Sequence, residues 1–249
     1  LGVRLLDVVD FHYYQTYDGS AAAEHNVTQL HRIWYDTTYD WPWANGSKAY
    51  PSGWDEQRRK QYIFRRVEQW LEQYMGTGHG VGVGLSEVGF FGSGDPNGDL
   101  AAVWYASHLG TFADHGVVYY TPWYWYRGMW EVMHLFSRYG KPIRVASVSD
   151  EDSVVSAYSS VNADGDSLSI ILVNRDPAQS RQAQVTVSNF AIDPGQATCL
   201  ELSGLPSGTE TFVSHADNHL QSSTVTPSGS TVSLNLPSYS VTAVLLSGS

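Results

Sequence analysis

Glu87 closes the run Val81-Gly82-Val83-Gly84-Leu85-Ser86-Glu87, whose apolar and glycine positions read as a short buried strand stopping at the carboxylate. A carboxylate at the C-terminal tip of a barrel strand is where α/β barrels keep their chemistry. Two further runs, Leu5–Tyr14 and Val117–Trp125, pass from apolar to aromatic in the same fashion. Three such tips in a short stretch suggest a sugar-cleaving site. Glycosidic cleavage needs two carboxyl groups, one a general acid held protonated; in retaining enzymes the other is a nucleophile about 5–5.5 Å away. Glu87 fits one of the pair. For the second, Glu131, Asp36, Asp40, Asp10 and Glu24 are available, none on an equivalent tip, and Glu131 is expected to face solvent on its helix. The plainer alternative is that Glu87 pairs with an arginine at a strand end.

The neighbours of Glu87 extend this reading. His12 and Tyr13, at the end of the first run, can hydrogen-bond a carboxylate and fix its orientation and charge. Tyr14, Trp123 and Trp125 offer ring faces for sugar stacking, with aromatic packing as the alternative. The segment Trp34-Tyr35-Asp36-Thr37-Thr38-Tyr39-Asp40-Trp41-Pro42-Trp43 places Trp34, Trp41 and Trp43 in one loop, as a ligand surface or as a plug between long loops. No metal-ligand spacing stands out and no cofactor is required, although Asp36, Asp40 or the Asp95–Asp99 loop could hold a structural calcium through oxygens. The glycine-rich Gly78–Gly84 precedes a strand instead of opening a helix, the reverse of a phosphate cradle.

The elements that must position these residues fall into two halves. Leu5–Phe11 reads as a strand, followed by a long aromatic loop from Tyr13 to Gly53. Ser52 and Asp55 suggest a helix start of the capping-box kind. Tyr62, Ile63, Val67, Trp70, Leu71 and Tyr74 then share one helical face up to Gly76. The Glu87 strand, a helix opened by Asp99 and stopped by Gly116, a strand over Val117–Tyr120 and a helix marked by Met129, Val132, Met133 and Phe136 complete an alternation that implies a parallel sheet. Three strands are visible where a closed barrel has eight. Beyond residue 144 the helical period disappears. Val154–Val161, Leu168–Val173, Ala183–Val187, Thr198–Leu202, Thr231–Leu236 and Val241–Leu246 read as strands of an antiparallel β-sandwich. The fold class expected is therefore α/β plus all-β: roughly half of a (β/α)8 TIM barrel in residues 1–144, then a β-sandwich in 145–249. All nine Trp and fourteen of the sixteen Tyr precede residue 145, and the charge balance moves from −3 before it to −8 after it.

A formal charge of −11 argues against nucleic acid or an anionic membrane as partner and suits a neutral polysaccharide. Cys199 is the sole cysteine, so no disulfide can form within the chain. The chain opens at Leu1 with strand-like residues, which reads as a processed product or a fragment. A half-barrel would leave sheet edges and helix faces bare. A further polypeptide is therefore expected: the N-terminal half of the same precursor or a second copy of the chain.

Asp7-Val8-Val9-Asp10-Phe11-His12-Tyr13-Tyr14 is similar to a strand motif of glycoside hydrolase family 44, mostly endo-β-1,4-glucanases and xyloglucanases. Leu85-Ser86-Glu87 falls where that family has its nucleophile within an S/T-E segment. Asn97–Gly116 resembles the helix that follows, Trp123 a substrate-stacking tryptophan, Trp34–Asp40 its YD-x-x-Y loop, and Leu168–Asp176 the start of its C-terminal sandwich. The likeness runs along residues 1–190, and its strength lies in the order of the motifs. It implies a (β/α)8 barrel plus β-sandwich of which this chain is the C-terminal half, and retaining hydrolysis by a secreted enzyme with Glu87 as nucleophile and an acid/base glutamate on an earlier strand, upstream of anything matched here. Val88-Gly89-Phe90 and Thr121-Pro122 depart from the family's pattern beside the bond to be cut. The alternative function is a non-catalytic carbohydrate-binding protein with an aromatic cleft.

Overall fold

Strand β1 (Val8–Tyr17) sets the two faces of the first sheet. Side chains alternate along a strand, so Phe11, Tyr13, Gln15 and Tyr17 turn toward the helices while Asp10, His12 and Tyr14 turn to the open side. The computed structural model describes residues 5–41, 61–92, 98–205 and 219–248. In it β1 pairs in parallel with β2 (Gly82–Gly92), and β2 with β3 (Tyr120–Pro122), giving the order β1-β2-β3. Both long strands outrun their expected ends. β1 continues to Tyr17, and Glu87 lies within β2 instead of at its tip.

The expected loop from Tyr13 to Gly53 is corrected over its described part. Ser20 caps α1 (Ala21–Gln29) by accepting the Ala23 N–H at 3.2 Å, and a 3-10 turn, Leu30–Trp34, continues it. This helix has no apolar stripe; it buries Asn26, Thr28 and Gln29 alongside Ala23 and Val27. Helix α2 (Ile63–Met75) buries only Val67 and Leu71, and leaves Trp70 and Tyr74 exposed. The expected cap at Ser52 and Asp55 lies outside the described residues. Helix α3 (Gly98–Asp114) is buried almost all round, because it is wedged between the parallel sheet and a second sheet. Helix α4 (Met129–His134) runs into a π turn, Leu135–Tyr139. It buries Glu131, against the expectation of a solvent-facing carboxylate, because the 219–220 segment covers it and the His219 N–H points to its Oε1.

The remaining strands are antiparallel: β4 (Ile143–Val145), β5 (Val155–Val161), β6 (Ser167–Asn174), β7 (Arg181–Thr186), β8 (Ala197–Leu202), β9 (Gln221–Val225), β10 (Thr231–Leu236) and β11 (Ser240–Ser247). They form a six-stranded sheet of order β4-β5-β6-β11-β8-β9 and a pair β10-β7. Leu168, Ile170, Leu172, Val244 and Leu246 of the large sheet share an apolar layer with Val232 and Leu236 of the pair. Six of these strands match the sequence expectation. β4 and β9 were not expected, since one has three residues and the other is the exposed polar edge Gln-Ser-Ser-Thr-Val.

The boundary at 144/145 falls inside β4, and one core crosses it. Leu85, Phe90 and Trp104 belong to the same apolar cluster as Ile171, Val173, Val241 and Ala243. A polar seam accompanies it. The buried Arg175 guanidinium donates to Ser107 Oγ at 3.1 Å, to Ser156 Oγ at 2.8 Å and to the Asp152 carbonyl, while Tyr35 donates to Asp152 Oδ2 at 2.7 Å.

His108 of α3 is fully buried; its Nδ1 donates to the Trp104 carbonyl at 2.8 Å, and burial pushes its pKa from 6.5 down to about 4. Between those values the unfolded chain binds a proton that the folded chain refuses. The stability this group contributes is therefore complete above 6.5 and is lost as pH falls toward about 4. The loss amounts to about 3 kcal/mol. A His108→Gln variant is expected to show a correspondingly shallower drop in urea midpoint between pH 6.5 and pH 4 than the parent chain.

Candidate active site

The open face of the parallel sheet owes its chemistry to one extra residue in β2. Against β1, Asp10 aligns with Gly84 and His12 with Glu87, so β2 advances three positions for two. Against β3 the same excess separates the pairs Leu85–Tyr120 and Val88–Pro122. Such a bulge re-aims side chains. Leu85 and Val88 both reach the core with no exposure, and the consecutive Ser86 and Glu87 both turn to the open face. The displaced Ser86 carbonyl accepts the Thr121 hydroxyl at 2.6 Å, and the Trp123 N–H meets the Val88 carbonyl at 3.0 Å, which fixes Trp123 beside this strand.

On that face Tyr14 donates its hydroxyl to Glu87 Oε2 at 2.5 Å, and His12 Nδ1 stands 3.3 Å from the same oxygen. Removal from water, followed by the Glu87 carboxylate, pushes the Tyr14 phenol up to about 12, so it remains a donor through the neutral range. His12 Nε2 lies 2.9 Å from Ser86 Oγ. Asp10 clamps Ser86, accepting its hydroxyl at 2.6 Å on Oδ2 and its N–H at 2.9 Å on Oδ1. The Ser86 hydroxyl holds the Asp10 carboxyl below its usual range, and Tyr119 hydrogen-bonds the same carboxylate. Gly84 makes room for this: a Cβ there would lie 2.3 Å from the Tyr119 ring. At Gly89 a Cβ would meet the Tyr14 and Tyr124 rings at 3.6 Å, an ordinary contact, so this glycine is not required by them. Trp123 is 56% exposed, and Phe91 and Tyr124 present partly open rings nearby.

Several expected site residues stand elsewhere. Trp34 is fully buried, stacked on Phe64 and edge-on to Tyr13 and Phe112. Trp41 is 1% exposed and hydrogen-bonded to Tyr13. Neither lines the open face, because both fill the space between sheet and helices. Tyr13 points to that same side and is pushed up to about 12 by burial, so the hydroxyl on Glu87 belongs to Tyr14. Trp125 is half-buried, stacked on Trp130 at 4.4 Å. Trp43 lies outside the described residues. Asp36 is tied to Arg32 at 2.7 Å and to the Thr38 N–H at 2.8 Å, and Asp99 accepts the Leu205 N–H at 2.9 Å. Among the described residues no cluster of three or more His, Cys, Asp or Glu is placed to hold a metal. Sequence reasoning did not find Ser86, Tyr119 and Thr121 as members of the site. The i, i+2, i+4 spacing of Asp10, His12 and Tyr14 was the signal for a shared strand face.

No family model matches the chain. Its sequence is 27% identical over 212 residues to the β-mannanase/endoglucanase A of Caldicellulosiruptor saccharolyticus, a match covering 76% of this chain and 15% of that protein. The fold is similar to CelM2, a bifunctional glucanase-xylanase from a metagenome library, with a TM-score of 0.77 and 22% identity over 100% of this chain and 45% of that one. It is similar too to a Paenibacillus polymyxa xyloglucanase from family 44, with a TM-score of 0.76 and 17% identity over 100% of this chain and 48% of that one.

The two exposure classes of tryptophan can be told apart by stability. Trp34→Ala is expected to cost about 3–5 kcal/mol in denaturant unfolding, as for a large buried ring. Trp123→Ala is expected to stay within about 0.5 kcal/mol of the parent.

The resemblance read from the sequence holds at the level of fold: the chain shares the fold of glycoside hydrolase family 44 structures and spans about half their length.

Proposed function

We propose that the chain is part of a retaining glycoside hydrolase of the endo-β-1,4-glucanase or xyloglucanase type, with Glu87 as nucleophile. The observation that carries this reading is the anchoring of one Glu87 oxygen. Oε2 is held by Tyr14 and faced by His12, and Oε1 has no hydrogen-bond partner among the described residues. In this reading Oε1 attacks the anomeric carbon and forms a glycosyl-enzyme that water then resolves. The parallel sheet with its helices is read as the C-terminal part of a (β/α)8 barrel and the two antiparallel sheets as a β-sandwich. The general acid, which later activates water, comes from chain beyond these residues: the N-terminal half of the same enzyme or a second copy. Trp123, with Tyr124 and Phe91, supplies ring faces for a neutral sugar chain. The protein is read as secreted; among the described residues no helix is long and apolar enough to cross a membrane.

A second reading, non-catalytic carbohydrate binding, draws on one observation: candidate second carboxylates are engaged elsewhere, Asp36 by Arg32, Asp10 by Ser86 and Glu131 under the His219 N–H. Release of reducing ends from xyloglucan and soluble cellulose separates the two. For the complete enzyme, Glu87→Gln is expected to lower turnover at least about a thousandfold, the order seen when a covalent nucleophile is removed, while cello-oligosaccharide binding persists. Turnover close to that of the parent would remove Glu87 from the role. Binding by the parent with no product at all would favour the second reading.

A further inference from the structure

Asp10 makes no hydrogen bond to Glu87, yet the proton inventory of the open face runs through it. Ser86 has one hydroxyl proton, and Asp10 Oδ2 takes it at 2.6 Å. The Asp10 carboxylate, held ionised by that bond, has no proton to return. Ser86 Oγ can therefore only accept in its 2.9 Å contact with His12, so the proton in that contact belongs to His12 Nε2. The ring's other nitrogen, Nδ1, is left facing Glu87 Oε2 at 3.3 Å.

We propose that Asp10 is a positioning residue which, through the Ser86 hydroxyl, fixes a proton on His12 Nε2 and so makes the His12–Glu87 contact depend on a second proton, on Nδ1. With both nitrogens protonated, the positive ring stands 3.3 Å from Oε2 and, together with Tyr14, holds that oxygen, leaving Oε1 toward substrate. With Nδ1 bare, the ring is neutral, its electron-rich nitrogen lies beside the carboxylate, and that attraction is lost. The site thus has a proton-gated nucleophile. The groups facing His12 among the described residues are Asp10 and Tyr14 from β1 and Ser86 and Glu87 from β2; Tyr119, the residue before β3, acts through Asp10. The catalytic consequence rests on Glu87 as nucleophile, whereas the proton placement does not.

The decisive variant is Asp10→Asn. The Ser86 N–H, 2.9 Å from Oδ1, requires the amide oxygen at that position and so puts the NH2 group against Ser86 Oγ. Ser86 then accepts from the amide and is free to donate its own proton to His12 Nε2, which drives the ring proton to Nδ1. Nitrogen-15 NMR of histidine-labelled full chain, with His12 assigned by loss of its signal in His12→Gln, reads this directly on the neutral ring. The expected result is a proton on Nε2 in the parent, its transfer to Nδ1 in Asp10→Asn, and loss of the parental preference in Ser86→Ala. A parent ring protonated on Nδ1, or the same nitrogen protonated in all three proteins, would overturn the proposal whether or not the chain has any activity. In the complete enzyme, the alkaline fall of kcat/KM is expected to move to higher pH in Asp10→Asn, with KM little changed. An unmoved alkaline limb alongside a confirmed proton transfer would instead count against Glu87 as the nucleophile.

Discussion

The site depends on a mismatch of length: β2 spends one more residue than either neighbour in crossing the sheet. Strict alternation would send Ser86 and Glu87 to opposite faces. The bulge lets Leu85 and Val88 both anchor the strand in the core and presents two adjacent polar groups to the same side. Without it, either the carboxylate or the hydroxyl that reads out Asp10 would be pressed against Trp104 and its neighbours, where an ionised group has no partner. The extra residue is secured on both flanks, by Asp10 on β1 and by Thr121 on β3.

A second constraint is how the open face is supported. Aromatic rings are abundant in the first part of the chain, but most of them bear weight instead of meeting ligand. Phe90 packs on Tyr17, Trp104 and Tyr126, and Trp34 packs on Phe64 and Phe112. Helix α3 carries this cluster across to the six-stranded sheet, with Gly110 seated against the Tyr158 ring of β5. The antiparallel part is thus a wall of the same core, which accounts for the buried Arg175 seam at the junction.

Much of this was legible in the residues. The strand, helix, strand alternation before residue 144 and six of the eight antiparallel strands follow from period and punctuation. Glu87 stood out by its setting. What was hidden has identifiable causes. Helix α1 buries polar residues against another part of the chain, so no apolar period announces it. Exposed and buried tryptophans look alike in a sequence; Trp34 and Trp41 read as ligand surface because their partners, Phe64 and Tyr13, are brought to them only by tertiary packing. The bulge cannot be read from one strand, since it exists only as a difference in register between three. Tyr13 and Tyr14 are adjacent, and choosing the one that meets Glu87 required knowing which face of β1 was inside.

The bare Cα of Gly84 has a consequence two strands wide. Tyr119 rests flat over a position with nothing to lift it, and from there its phenol steadies Asp10. A methyl group at that spot would act as a shim under the ring, and the tilt would be transmitted from the third strand to the first and back to the carboxylate on the second. The acidity of the pocket is therefore guarded in part by an atom the chain leaves out, at a residue that carries no functional group at all.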